Sequence, residues 1–185
     1  MERKLTLIKD SKPVKVLIVE DERIIACNIR ESLESLGYVV LAIAASGEKA
    51  IEKATQLQPD LVLMDIQLKG NMDGIEAAEQ IWNNLSIPVL YVTGHSDKKT
   101  MERATITAPF GYILKPVQEQ ELYVAIKIAL QRHEREQLLS AILKRMGDGV
   151  ILVKAQNRIQ FLNPVAEYLQ YSYTKFRIPF RGGEP

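Results

Sequence analysis

Apolar residues recur along this chain in two rhythms. Short solid runs are followed by stretches in which every third or fourth position is apolar. The runs fall at residues 14–19, 39–45, 60–65, 87–93 and 110–115. Their length and continuity predict strands buried on both faces. Between them, Ile25, Ile29, Leu33 and Leu36 share one helical face, and Gly37 stops that helix. Ala50, Ile51, Ala54 and Leu57 define a second, broken by Pro59, and Ile75, Ala78, Ile81 and Leu85 a third. A weaker helix is predicted over residues 97–106. A long one begins near Gln118 and runs to about Met146 without Gly or Pro.

Strands alternating with helices predict parallel pairing and a doubly wound α/β sheet. Such sheets place their site beyond the carboxyl ends of the strands. The long helix outruns what a compact domain needs. Leu122, Ile126 and Ala129 can cover the sheet, whereas Leu138, Leu139, Ile142 and Met146 extend the apolar stripe further and call for another surface. After Gly147 the pattern becomes two short strands around a turn at Gln156 and Asn157, then a helix with Pro164 in its first turn. The last stretch, YSYTKFRIPFRGGEP, has no clean period.

Composition narrows the function classes. With 24 Lys and Arg against 23 Asp and Glu the charges nearly cancel, so no basic patch points to nucleic acid. Cys27 is the single cysteine; no internal disulfide is possible and a reducing compartment fits. The longest apolar stretch, Val39 to Ala45, is far short of the ~20 residues of a membrane span. The N-terminal residues 1–13 form a polar leader without the apolar core of a signal peptide. A cytoplasmic protein is expected.

The strand ends carry the candidate chemistry. One ends in Glu20 and Asp21, one in Asp65, one in Thr93 and one in Lys115. Carboxylate oxygens suit Mg²⁺, and an aspartate can attack phosphorus to give an acyl phosphate. A hydroxyl and an ammonium can hold the phosphoryl oxygens, and phosphoryl transfer needs mainly positioning and charge neutralisation. One strand-end acid alone is commonplace; four strand ends agreeing is specific.

These residues stand in LIVEDE, DLVLMDIQLKGNMDGIEAAEQI, IPVLYVTGH and GYILKP. Residues 14–130 thereby resemble a response-regulator receiver domain of two-component phosphorelays. The resemblance implies a flavodoxin-like fold of five parallel strands and a switch rather than an enzyme. It implies Asp65 as phosphoacceptor and Mg²⁺ held by Glu20, Asp21, Asp65 and the Gln67 backbone carbonyl. Thr93, Lys115 and Tyr112 take the phosphate-binding and switch roles, with a cis peptide at Lys115–Pro116. His95 falls where the family tunes phosphate lifetime. The implied partner is a histidine kinase or a phosphotransfer protein. The loop LKGNMDG has one residue more than the commoner LPGMDG, so it is expected to sit differently.

A second resemblance begins near Met146. MGDGVILVKAQNRIQFLNPVAEYL is similar to the start of a PAS sensor domain, and residues 147–185 are expected to be a truncated one, joined by a linker helix over residues 131–146. HEREQL, residues 133–138, lacks the proline and the nucleotide-binding domain of a kinase histidine box, so His133 is expected to face solvent. A haloacid-dehalogenase-like phosphatase using Asp65 and Mg²⁺ is the alternative, although that family wants an aspartate where Gln67 stands. With no complete effector domain, self-association through the Tyr112 face and the linker helix is the expected output, without nucleic acid or membrane.

Overall fold

The computed structural model describes residues 12–94, 103, 110–154 and 158–169. The chain divides into two compact units, residues 1–133 and 134–185. In the first, β1 (Lys15–Val19), β2 (Val39–Ala44), β3 (Leu61–Asp65), β4 (Val89–Thr93) and β5 (Gly111–Leu114) form one parallel sheet in the order β2-β1-β3-β4-β5. Helices α1 (Arg23–Ser35), α2 (Gly47–Leu57) and α3 (Gly74–Leu85) make the crossovers. Helix α4 (Glu119–Arg145) follows β5.

Alternation along the strands explains the two cores. Leu17 and Val19 of β1 join Val62 and Met64 of β3 with Ala50, Ala54, Ile75 and Ile81 on one face. Val16 and Ile18 join Leu61 and Leu63 with Ile29, Leu33, Leu122 and Ile126 on the other. Successive side chains of a strand point to opposite faces, so a strand covered on both sides must be apolar throughout. Strands β3 and β4 are buried at every position. Asp65 and Thr93 are the polar residues that end them.

The helix faces fall largely where the periodicity puts them. Ala26 replaces Ile25 as the buried residue beside Ile29, and Leu57 is exposed. Leu57 lies in the last turn of α2, which ends on the left-handed Gln58 at φ 45°. Helix α3 starts with a capping box: Asp73 accepts from the Glu76 amide at 2.9 Å, and Glu76 accepts from the Asp73 amide at 3.2 Å. Arg103 is helical and donates to Asp73 at 2.8 Å; the rest of the helix predicted over 97–106 lies outside the described residues.

His133 does not face open solvent as expected. It is half-buried, with its ring 6.0 Å from Trp82 and 5.7 Å from Phe110, both edge-on. It continues the spacing of Ile126 and Ala129 by four residues, which keeps it on the sheet-facing side of α4.

The second unit contains the antiparallel hairpin of β6 (Ile151–Lys154) and β7 (Arg158–Leu162), then a helix over residues 164–169. The two strands follow the predicted pattern; the predicted turn at 156–157 lies outside the described residues. Asn163, between β7 and the helix, is fully buried.

Candidate functional site

Strand order brings the chemistry together. Strands β1 and β3 are neighbours, so Glu20 and Asp21, just past β1, lie beside Asp65 at the end of β3. Strands β4 and β5 pair Thr93 with Leu114, and the Lys115 amide donates to the Thr93 carbonyl at 2.8 Å. This register fixes the backbone of Lys115 at the end of β4. The Lys115–Pro116 peptide bond is cis.

Lys115 reaches two acids at once. Its Nζ lies 2.7 Å from Glu20 Oε2 and 2.7 Å from Asp65 Oδ2. The other Asp65 oxygen, Oδ1, accepts from the Gln67 amide at 3.0 Å. Both oxygens of the aspartate are therefore oriented, one by the Lys115 ammonium and one by backbone. Asp21 has its own cation: Lys69 Nζ lies 2.8 Å from Asp21 Oδ2.

The electrostatics follow from burial. Glu20 is 2% exposed. Burial raises its carboxyl above the ordinary range, the contact with Lys115 works against that, and the Asp65 charge adds to the rise. Burial acts to lower Lys115, yet hydrogen bonds and charges from Asp65 and Glu20 outweigh it and the ammonium is raised overall. Lys69 is raised chiefly by its bond to Asp21. Counting every group as ionised, three carboxylates face two lysines, so the cluster is short of positive charge.

The same residues fit a divalent cation. Glu20, Asp21 and Asp65 each offer an oxygen, all within 4.8 Å of one another. Glu20 Oε2 and Asp21 Oδ2 are buried, and among the described residues the partner of each is a lysine, Lys115 for the first and Lys69 for the second. Hard oxygens at this spacing suit Mg²⁺. Gln67 is exposed, on the loop just after Asp65.

The loop after Asp65 is held tightly at its far end. A Cβ on Gly74 would meet the Asp65 carbonyl oxygen at 1.8 Å, so only glycine lets α3 begin against that strand end. Its amide donates to the Ile66 carbonyl at 3.1 Å. Gly70 sits at φ +134°, next to Lys69 in the lengthened loop.

Thr93 is buried and donates its hydroxyl to the Gly94 carbonyl at 3.1 Å. Tyr112 is half-buried against Tyr91, with ring centroids 5.7 Å apart. It borders a groove between β5 and α4 that includes Leu114, Glu121, Val124 and Ile128. His95 lies outside the described residues. Sequence reasoning missed Lys69. Its signal was a lysine four residues after Asp65, where the loop is one residue longer.

Residues 16–127 match the family model of the response regulator receiver domain. Over 159 residues the chain is 30% identical to the transcriptional regulatory protein PdtaR of Mycobacterium tuberculosis, spanning 84% of this chain and 77% of that protein. It is 37% identical over 116 residues to the response regulator protein VraR of Staphylococcus aureus, of which it spans 55%. The signal receiver domain of a modulated diguanylate cyclase from Desulfovibrio desulfuricans G20 superposes with a TM-score of 0.65 at 40% identity, covering 68% of this chain and 99% of that one. The N-terminal domain of a response regulator/sensory box/GGDEF 3-domain protein from Carboxydothermus hydrogenoformans does so with a TM-score of 0.61 at 37% identity, covering 66% and 98%. The parallel sheet and its acidic edge thus belong to a known kind of signalling module, and the chain is a member of the response regulator receiver domain family.

Proposed function

We propose that this protein is a phosphorylation switch in which Asp65 is the phosphoacceptor, supplied by a histidine kinase or phosphotransfer protein. The observation that supports this best is the Asp65 carboxylate, fixed by the Gln67 amide and by Lys115, with Glu20 and Asp21 beside it. A carboxylate oxygen of Asp65 attacks phosphorus. The bond from phosphorus to the donor breaks, and the donor leaves with its electron pair. Lys115, already aimed at Asp65, neutralises charge on the transferred group. Glu20, Asp21, Asp65 and the Gln67 carbonyl would hold Mg²⁺, which supplies further charge neutralisation. Thr93 and Tyr112 read the phosphorylated state by biasing two pre-existing conformations, and His95 sets its lifetime. The chemistry is confined to gaining and losing one phosphoryl group, so the protein is a switch and not a turnover enzyme. A haloacid-dehalogenase-like reading loses its second carboxylate, because Gln67 stands in that place.

The test is labelling by radioactive acetyl phosphate in Mg²⁺. Wild type should take up close to one phosphate and Asp65→Asn none. Equal label on the variant sinks the assignment.

The output is assigned to the Tyr112 face and to α4. Leu138, Leu139, Ile142 and Met146 are all exposed, a stripe that a second copy of the helix would cover. Sedimentation with and without beryllium fluoride and Mg²⁺ should show a dimer favoured by the phosphate mimic; a monomer in both conditions removes this output. Residues 147–185 are read as the opening of a PAS sensory domain. The hairpin followed by Asn163, Pro164 and a helix supports that reading, and the Carboxydothermus relative is itself described with a sensory box. No described helix is long and apolar enough to cross a membrane. The names of PdtaR and VraR place them in regulation, one of them transcriptional; in this chain the near-balanced charge favours a protein partner over nucleic acid.

A further inference from the structure

We infer that Lys69 is a resident counter-ion of the acidic cluster, one that a divalent cation must displace, and that it thereby sets the affinity of the site for Mg²⁺. The inference rests on the reading of the cluster as a metal site. Lys69 Nζ lies 2.8 Å from Asp21 Oδ2, while Lys115 serves Glu20 and Asp65. The side chain of Asp21 is 10% exposed and that of Lys69 84% exposed. The ammonium thus reaches inward from a stem in solvent, and it can withdraw into solvent without disturbing packing. Lys115 has no such freedom: its side chain is 17% exposed and is shared between two acids.

Charge count favours an exchange. Three ionised carboxylates against Lys115 and Lys69 leave one negative charge; against Lys115 and a divalent ion they leave none. An ion on Asp21 and an ammonium on the same carboxylate repel each other, and the exposed group is the one free to go. Gly70, next in the chain at φ +134°, gives the loop a backbone turn that few other residues adopt.

The experiment is calorimetric titration of the full chain with MgCl₂ at low ionic strength, on wild type, Lys69→Gln, Lys69→Arg and Asp21→Asn. Lys69→Gln should bind Mg²⁺ about threefold more tightly, the scale set by an exposed lysine–carboxylate pair. Lys69→Arg, which keeps the charge, should stay near wild type. Raising the salt should narrow the gap between wild type and Lys69→Gln. Unchanged or weaker binding by Lys69→Gln overturns the inference while leaving the metal site standing, provided Asp21→Asn abolishes the heat. If Asp21→Asn binds as wild type does, the cluster is not the metal site and both readings fall.

Discussion

Each unit of this protein buries polar groups, and the two treat them in opposite ways. In the first unit Glu20 and Asp65 are pulled out of water beside Asp21, and the nearby lysines do not balance them. In the second, the buried group is the neutral amide of Asn163, and it is fully served. Its Oδ1 accepts from the Val150 amide at 2.8 Å and the Ala166 amide at 2.9 Å. Its Nδ2 donates to the carbonyls of Leu143 at 3.2 Å and Asp148 at 2.8 Å. A satisfied buried amide specifies a local structure; a buried cluster with more carboxylates than cations is held ready for a charge that arrives. The surrounding packing agrees. The first unit has a dense two-faced core, whereas in the second Asn163 and Ala166 are the buried residues among those described, and Ile151, Ile159 and Tyr168 are exposed.

The comparison is most easily broken at Asn163. Asn163→Ala removes four hydrogen bonds and leaves the amides of Val150 and Ala166 without their acceptor. One of these is the cap of the helix over residues 164–169. The loss should be about 3 kcal/mol, the cost of orphaning buried groups where little apolar packing can compensate. Hydrogen exchange at the Val150 and Ala166 amides should quicken by two orders of magnitude or so, on the order of that energy. Protection equal to wild type would mean that the amide is incidental and the hairpin is held by something else.

The two units also differ in how far their sequence could be read. Strands β1, β3 and β4 are solid apolar runs, so their type and their burial on both faces follow directly, and the polar residues that end them advertise the site. The parallel order then places Asp65 between Glu20 and Lys115, and no reading of spacing alone gives the 2.7 Å contacts. Lys69 escaped because an exposed lysine in a loop is ordinarily solvated; its approach to Asp21 depends on where the lengthened loop turns. His133 was misplaced because a polar residue on a helix is normally outward, and the rings of Trp82 and Phe110 that receive it come from distant parts of the chain. Asn163 was legible only as the residue before a proline-led helix. Its bonds to Leu143 and Asp148 arise from tertiary packing that local pattern does not encode.

The smaller test sharpens the other side of the contrast, the strain of buried charge at Glu20. Burial, reinforced by Asp65, raises the Glu20 carboxyl above the ordinary value of 4.5 despite Lys115. A folded state that holds this proton more tightly than the unfolded chain gains stability as pH falls. Glu20 accordingly costs stability as pH rises from 4.5 through its raised folded value, and the full cost is present above that value. Glu20→Gln keeps the shape and removes the titration, and Lys115 still has Asp65 as a partner. In chelator, with no divalent ion present, the variant should therefore be more stable to unfolding than wild type at pH 8, by on the order of 1 kcal/mol. The gap should close as pH falls through the raised folded value of Glu20, because wild type then becomes protonated as well. Taking the difference between the two proteins cancels the titration of groups they share. Adding Mg²⁺ should reverse the ranking, because wild type regains a ligand oxygen that the amide supplies less well. A gap that does not change with pH would show that Glu20 is as settled in the fold as Asn163, and the contrast between the two units would then rest on packing alone.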